Sequence, residues 1–116
     1  VNVLRHKKDI SNDARLSKNA QKKIESILSE VHLLILVEQP NETCQKVVSI
    51  VDCLPDIEKR IIQEKYLNKE AEYRTHQFVY ESMDISEKSY RKSRQAAFVK
   101  IALGLELVDI FKVEQD

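Results

Sequence analysis

Helix breakers fall at three places in this chain, Pro40, Pro55 and Gly104, and nowhere else in its 116 residues. The stretches between them are rich in Lys, Glu, Gln, Leu and Ile, all of which sit comfortably in an α-helix. The chain is therefore expected to be all-α. Its length suits one small domain, or one domain with a helical extension, around a modest core.

Residues 1–12 are polar and basic without periodicity and read as a loose arm. From Asn12 or Asp13, either of which could cap a helix, a long pattern begins. Ile24, Ile27, Leu28, Val31, Leu34 and Ile35 recur at spacings of three and four, predicting an amphipathic helix to about Glu38. Leu33, Leu36 and Val37 widen the apolar surface near its end. That implies burial on two faces, either deep in the domain or against a second subunit. A strand over residues 31–37 would have no partner strand elsewhere in the sequence.

Pro40 ends this helix, and Cys44, Val47, Val48 and Val51 mark a second one to about Asp52. Pro55 fits the first turn of a third helix carrying Ile57, Ile61, Ile62 and Leu67. Residues 68–74 form a charged connector. The chain thus divides into an arm and long helix over residues 1–40, able to serve dimerisation, and a helical domain over residues 41–116.

The last third is the most informative. Thr75 is a plausible cap for a short helix, Met83-Asp84-Ile85-Ser86 a tight turn, and Ser86 the cap of a longer helix. Gly104 could end that helix, or the helix could run on through Leu105, Leu107, Val108 and Phe111. A short helix, a four-residue turn and a second helix make a helix-turn-helix at about residues 75–103, whose second helix would enter the major groove of DNA. At about 100° per residue, Tyr90, Ala97 and Ile101 project inward with Arg94 beside them, continued sideways by Phe98 and Leu105. Lys88, Arg91, Lys92 and Gln95 share an outer arc of about 100°.

These are residue types that bond base edges, Arg and Lys to guanine and Gln to adenine. Ser86 and Ser89, at the helix start, suit phosphate oxygens, as do Arg74 and Thr75 at the start of the preceding helix.

Charge is uneven along a chain whose formal net charge is zero. Residues 86–100 carry Lys88, Arg91, Lys92, Arg94 and Lys100 against Glu87 alone, whereas the tail from residue 105 is acidic. A local basic face on a neutral protein suits selective DNA contact better than bulk polyanion binding. A basic face on an amphipathic helix is also what plain solvation produces, so the order of the surrounding features carries the inference.

The remaining chemistry is sparse. Cys44 and Cys53, if on one helix, lie roughly 13 Å apart along its axis and cannot bridge. With no cysteine framework and no signal segment, a reducing cytoplasm is the expected location. The apolar run at Val31–Val37 is too short to span a membrane. His6, His32 and His76 are scattered, with no ligand-spaced partners, so neither a metal nor a cofactor is expected. No phosphate loop and no nucleophile constellation points to catalysis.

Two stretches together resemble a known family: LPDIEKRIIQEKYL at residues 54–67 and DISEKSYRKSRQAAF at residues 84–98. They are similar to the ArpU-type phage transcriptional regulators and, more distantly, to region four of bacterial sigma factors. The resemblance covers residues 45–108. It implies a small regulator of phage or prophage late genes, most readily an activator, whose second helix reads promoter DNA. By position the base readers would be Glu87, Lys88, Ser89, Arg91, Lys92 and Gln95. The chain departs from the pattern at Tyr80, where a small residue is usual and a bulky one would be expected to push the two helices apart or force a register shift. Asp84, at the turn where Gly is common, is a milder departure, because Asp tolerates left-handed conformations.

Other classes compete with a DNA-binding regulator. One is a protein-interaction module using the apolar surfaces at Val31–Val37 and Leu103–Phe111 to bind RNA polymerase or a twin subunit. Another is a packaging protein that recognises DNA through a similar unit. The excess apolar surface favours a homodimer.

Overall fold

The computed structural model describes residues 16–105. Its elements are α1 (Lys18–Leu36), α2 (Glu42–Asp52), α3 (Asp56–Ile62), α4 (His76–Ser82) and α5 (Glu87–Gly104). A π turn at Gln63–Leu67 prolongs α3, and a 3-10 turn at Ala71–Tyr73 lies within the charged connector. The fold is all-α, with no strand among the described residues.

Local chemistry sets each boundary. Ser17 caps α1, its Oγ accepting the Ala20 N–H at 3.1 Å. The alternative caps at Asn12 and Asp13 lie outside the described residues. At the other end α1 stops at Leu36, slightly before the expected Glu38. Glu38 turns left-handed with φ 56°. Its N–H donates to the Ile35 carbonyl at 3.1 Å, and the Gln39 N–H donates to that of Leu34 at 2.9 Å. This is a Schellman closure, placed just where Pro40 forbids Gln39 a helical backbone. Asn41 then caps α2 by accepting the Cys44 N–H at 2.9 Å. Pro55 stands one residue outside α3 rather than in its first turn.

The main core joins α1 to α2, α3 and α5. Ile24, Leu28 and Val31 of α1 meet Cys44, Val47 and Val51 of α2, Ile62 of α3, and Ala97, Phe98, Val99, Ile101 and Ala102 of α5. The helix of the 1–40 segment thus shares one core with three helices of the 41–116 segment. Gly104 marks a close approach within it. A Cβ there would lie 2.6 Å from Ile50 Cδ1, so glycine makes room for α2.

Burial of α1 is one-sided. Ala20, Ile24, Leu28, Val31 and His32 face the core, whereas Leu33, Ile35, Leu36 and Val37 stand exposed at its end. Of the two placements the sequence left open for that apolar surface, the domain interior does not take it. The rest of the domain lies against a single stripe of α1.

The left-handed residue at 38 generates a stability test. Glu38→Gly should stabilise the fold by about 1 kcal/mol, and the β-branched Glu38→Val should destabilise it by a similar amount. Urea midpoints measured on both variants check the sign of each change.

Candidate nucleic-acid interface

Seven residues make a helix too short to persist alone, so α4 depends on its ends and its packing. Thr75 Oγ1 accepts the Phe78 N–H at 3.0 Å, as its position predicted. At the far end Asp84 turns left-handed with φ 56°. Its N–H donates to the Glu81 carbonyl at 3.1 Å, and the Ile85 N–H donates to that of Tyr80 at 3.1 Å. This second Schellman closure brings Ile85 and Tyr80 into one apolar cluster. Ser86 Oγ then accepts the Ser89 N–H at 3.1 Å and starts α5.

Three helices hold the unit together. Ile61 of α3, Val79 of α4 and Tyr90 of α5 form a small core rimmed by Tyr80, Met83 and Ile85. The inner position of α4 is Val79, not Tyr80. Tyr80 is half-buried at the rim, its ring tilted 56° against that of Tyr90 with centroids 5.5 Å apart. The expected separation of the two helices rested on placing Tyr80 between them. Val79 takes that place, and the tyrosine adds an aromatic contact instead.

The first turns of α5 present Glu87, Lys88, Ser89, Arg91 and Lys92 to solvent. Arg91 Nη2 meets Glu87 Oε2 at 2.8 Å, but both side chains are mostly exposed. Such a pair contributes little and is easily exchanged for another partner. Neither Lys88 nor Lys92 is held in an ion pair among the described residues. Ser86 Oγ and Thr75 Oγ1 act as cap acceptors, which leaves each O–H proton free to reach a phosphate oxygen.

Three other sequence-expected cations and contacts are engaged inside the protein. Arg74, expected at phosphate, forms an ion pair with Glu64, lies 3.6 Å from Glu70 and covers the Phe78 ring at 5.5 Å. Lys100 holds both carboxylate oxygens of Glu58, at 2.9 and 3.0 Å. Gln95, expected at a base, is half-buried and accepts from Gln21 Nε2 of α1 at 3.3 Å. The outer face therefore ends at Lys92, where α1 crosses.

Arg94 anchors that crossing. Its Nη1 donates to the Tyr66 hydroxyl at 3.1 Å, its guanidinium covers the Phe98 ring at 5.2 Å, and Glu25 of α1 lies 3.7 Å away. Tyr66 in turn donates to Glu25 at 3.3 Å. Burial pushes the Tyr66 hydroxyl well above its ordinary range, opposed by the neighbouring Arg94. Lys65, stacked on the Tyr66 ring at 5.1 Å, is lowered by burial first, against the pull of Glu25. Sequence alone could not join residues 25, 66 and 94. The one hint was Arg94 itself, a charge on the inward arc that needed a buried partner.

A second polar contact ties α4 to α5. His76 Nδ1 lies 2.6 Å from the Tyr90 hydroxyl. Burial raises Tyr90 to about 12, so its hydroxyl stays protonated at neutral pH, and the imidazole tautomer sets which of the two groups donates. Partial burial lowers His76, helped by the charges of Arg94 and Lys65. Among the described residues no group of His, Cys, Asp and Glu is placed to hold a metal, and no helix is long and apolar enough to cross a membrane.

The His76 shift has a defined pH consequence. A histidine whose folded pKa lies below its ordinary 6.5 takes up its proton in the unfolded chain first. Stability is then complete above pH 6.5 and falls as pH drops from there toward the folded value. Urea midpoints between pH 7.5 and 5.5 should decline in the wild type and decline less in His76→Gln. In comparisons with known proteins, no family model, no curated protein and no solved structure matches the chain.

Proposed function

We propose that the protein is a sequence-specific DNA-binding transcriptional regulator that reads the major groove with the helix beginning at Ser86. The observation that carries this reading is the division of α5. Its second half is packed into the core, while its first turns offer Lys88, Ser89, Arg91 and Lys92 to solvent from a three-helix unit with a tight turn. A rigid helix that projects a few donors is what base-edge recognition requires. Lys88, Arg91 and Lys92 are the principal readers, and Glu87 either orients Arg91 or accepts from cytosine. Ser86 and Thr75 hold phosphate. The likeness to ArpU-type regulators extends the proposal to activation of phage or prophage late genes in a bacterial cytoplasm.

A second surface supports a partner as well as DNA. Leu33 is 58%, Leu36 45% and Val37 53% exposed at the end of α1. An apolar strip of this kind fits a twin subunit or RNA polymerase better than solvent. An activator needs both contacts, so the two surfaces belong to one function.

The test is anisotropy of labelled duplexes against salt, beginning with random sequence and continuing with duplexes selected by the protein. Arg91→Ala and Lys92→Ala should each cost about 1–3 kcal/mol on the selected duplex. Glu87→Gln should act in the opposite direction on the random duplex. Releasing Arg91 from its exposed pair should raise non-specific affinity about twofold. Wild-type binding by both alanine variants, with their helical content intact, would sink the proposal.

A further inference from the structure

We infer that the first turns of α1 belong to the same DNA-binding surface, with Lys18 and Lys22 contacting phosphates beside the groove that α5 enters. This rests on the DNA-binding reading of α5.

The placement comes from one hydrogen bond between the two helices. Gln21 Nε2 of α1 donates to Gln95 Oε1 of α5 at 3.3 Å. Gln95 lies on the outer arc of α5, roughly 20° from Lys88, 40° from Arg91 and 60° from Lys92 in helical projection. The start of α1 therefore abuts the cationic face one turn beyond its last reader. Lys18 precedes Gln21 by three residues and Lys22 follows it directly, so they project about 60° and 100° away from it. They stand four apart on one side of α1, and both are exposed. Lys23, also exposed, projects about 160° from Gln21 and so faces away from α5.

Among the described residues, the first two turns of α1 carry no acid. Residues 16–24 contain no carboxylate. Glu25, the next acid, follows Lys22 by three residues and is partly exposed, and its carboxylate is engaged by Tyr66 and Arg94. The exposed acids of α1 and its terminus, Glu30 and Glu38, lie at the opposite end. A chain of zero net charge thus places lysines of α1 beside lysines of α5, none of them ion-paired among the described residues. An ammonium on a flexible stem binds phosphate as a point charge and carries no base preference. Lys18 and Lys22 would add affinity uniformly across sequences, while the readers on α5 set the choice among them.

The experiment compares wild type, Lys18→Gln/Lys22→Gln and Lys23→Gln by anisotropy on a random and a selected duplex over a range of salt. Removing one lysine–phosphate interaction lowers the slope of log affinity against log salt by about 0.9, so the double variant should lose about 1.8. Its ratio of selected to random affinity should stay that of the wild type, and Lys23→Gln should match the wild-type slope. A double variant with an unchanged slope, on a wild type that binds through Lys88, Arg91 and Lys92, overturns this inference and leaves the reading of α5 standing. A wild type that binds no duplex at low salt overturns that reading and this inference with it. All three changes are exposed Lys→Gln substitutions, and circular dichroism verifies that helical content is retained.

Discussion

Ala97, Phe98, Val99, Ile101 and Ala102 bury the second half of α5 over about 200° of its circumference. The rest of the domain follows from satisfying that surface. α1, α2 and α3 all pack against it, so α5 is held from its middle to its end. Its first turns then need only Tyr90 to bind them to the turn unit. The side chains proposed to read DNA sit on the free half of a clamped helix, where the packing of the other half fixes their direction.

Arg94 lies at the boundary between the two halves, and its surroundings explain why the boundary is sharp. A guanidinium taken out of water destabilises a fold unless its donors and its charge are answered. Here the answers come from a hydroxyl of the α3 extension, a carboxylate of α1 and the face of Phe98. Its Nε has no partner among the described residues. Such an arrangement favours one register of three helices more than it adds stability. A helix shifted by one residue would leave the charge buried without Tyr66 or Glu25.

Much of this was legible in the sequence. The caps at Thr75 and Ser86, the turn at residues 83–86, the left-handed Asp84 and the inward set Tyr90, Ala97 and Ile101 all depend on neighbours within a few positions. Local chemistry decides them, and local chemistry can be read. The long-range polar pairs could not be read in the same way. Arg94 meets Glu25, Lys100 meets Glu58 and Gln95 meets Gln21, across sequence gaps that only the packed helices close. Val79 rather than Tyr80 faces inward for a related reason: the phase of a seven-residue helix is set by Ile61 and Tyr90 across from it. Periodicity over so few positions leaves two adjacent choices open.

Those internal pairs change the electrostatic argument. Counted along the sequence, residues 86–100 offer five cations against one acid, a strongly basic helix. In the fold, Arg94 and Lys100 are spent on carboxylates of α1 and α3, leaving Lys88, Arg91 and Lys92 beside Glu87. Three cations of this kind would give a weak hold on a random duplex at physiological salt. For the proposed regulator, discrimination must then come from fitted contacts to base edges and from a second copy or partner seated on Leu33, Leu36 and Val37. Neutrality of the whole chain fits that proposal, because it would keep the unspecific pull of DNA low while the paired arginine and lysine hold α5 in place.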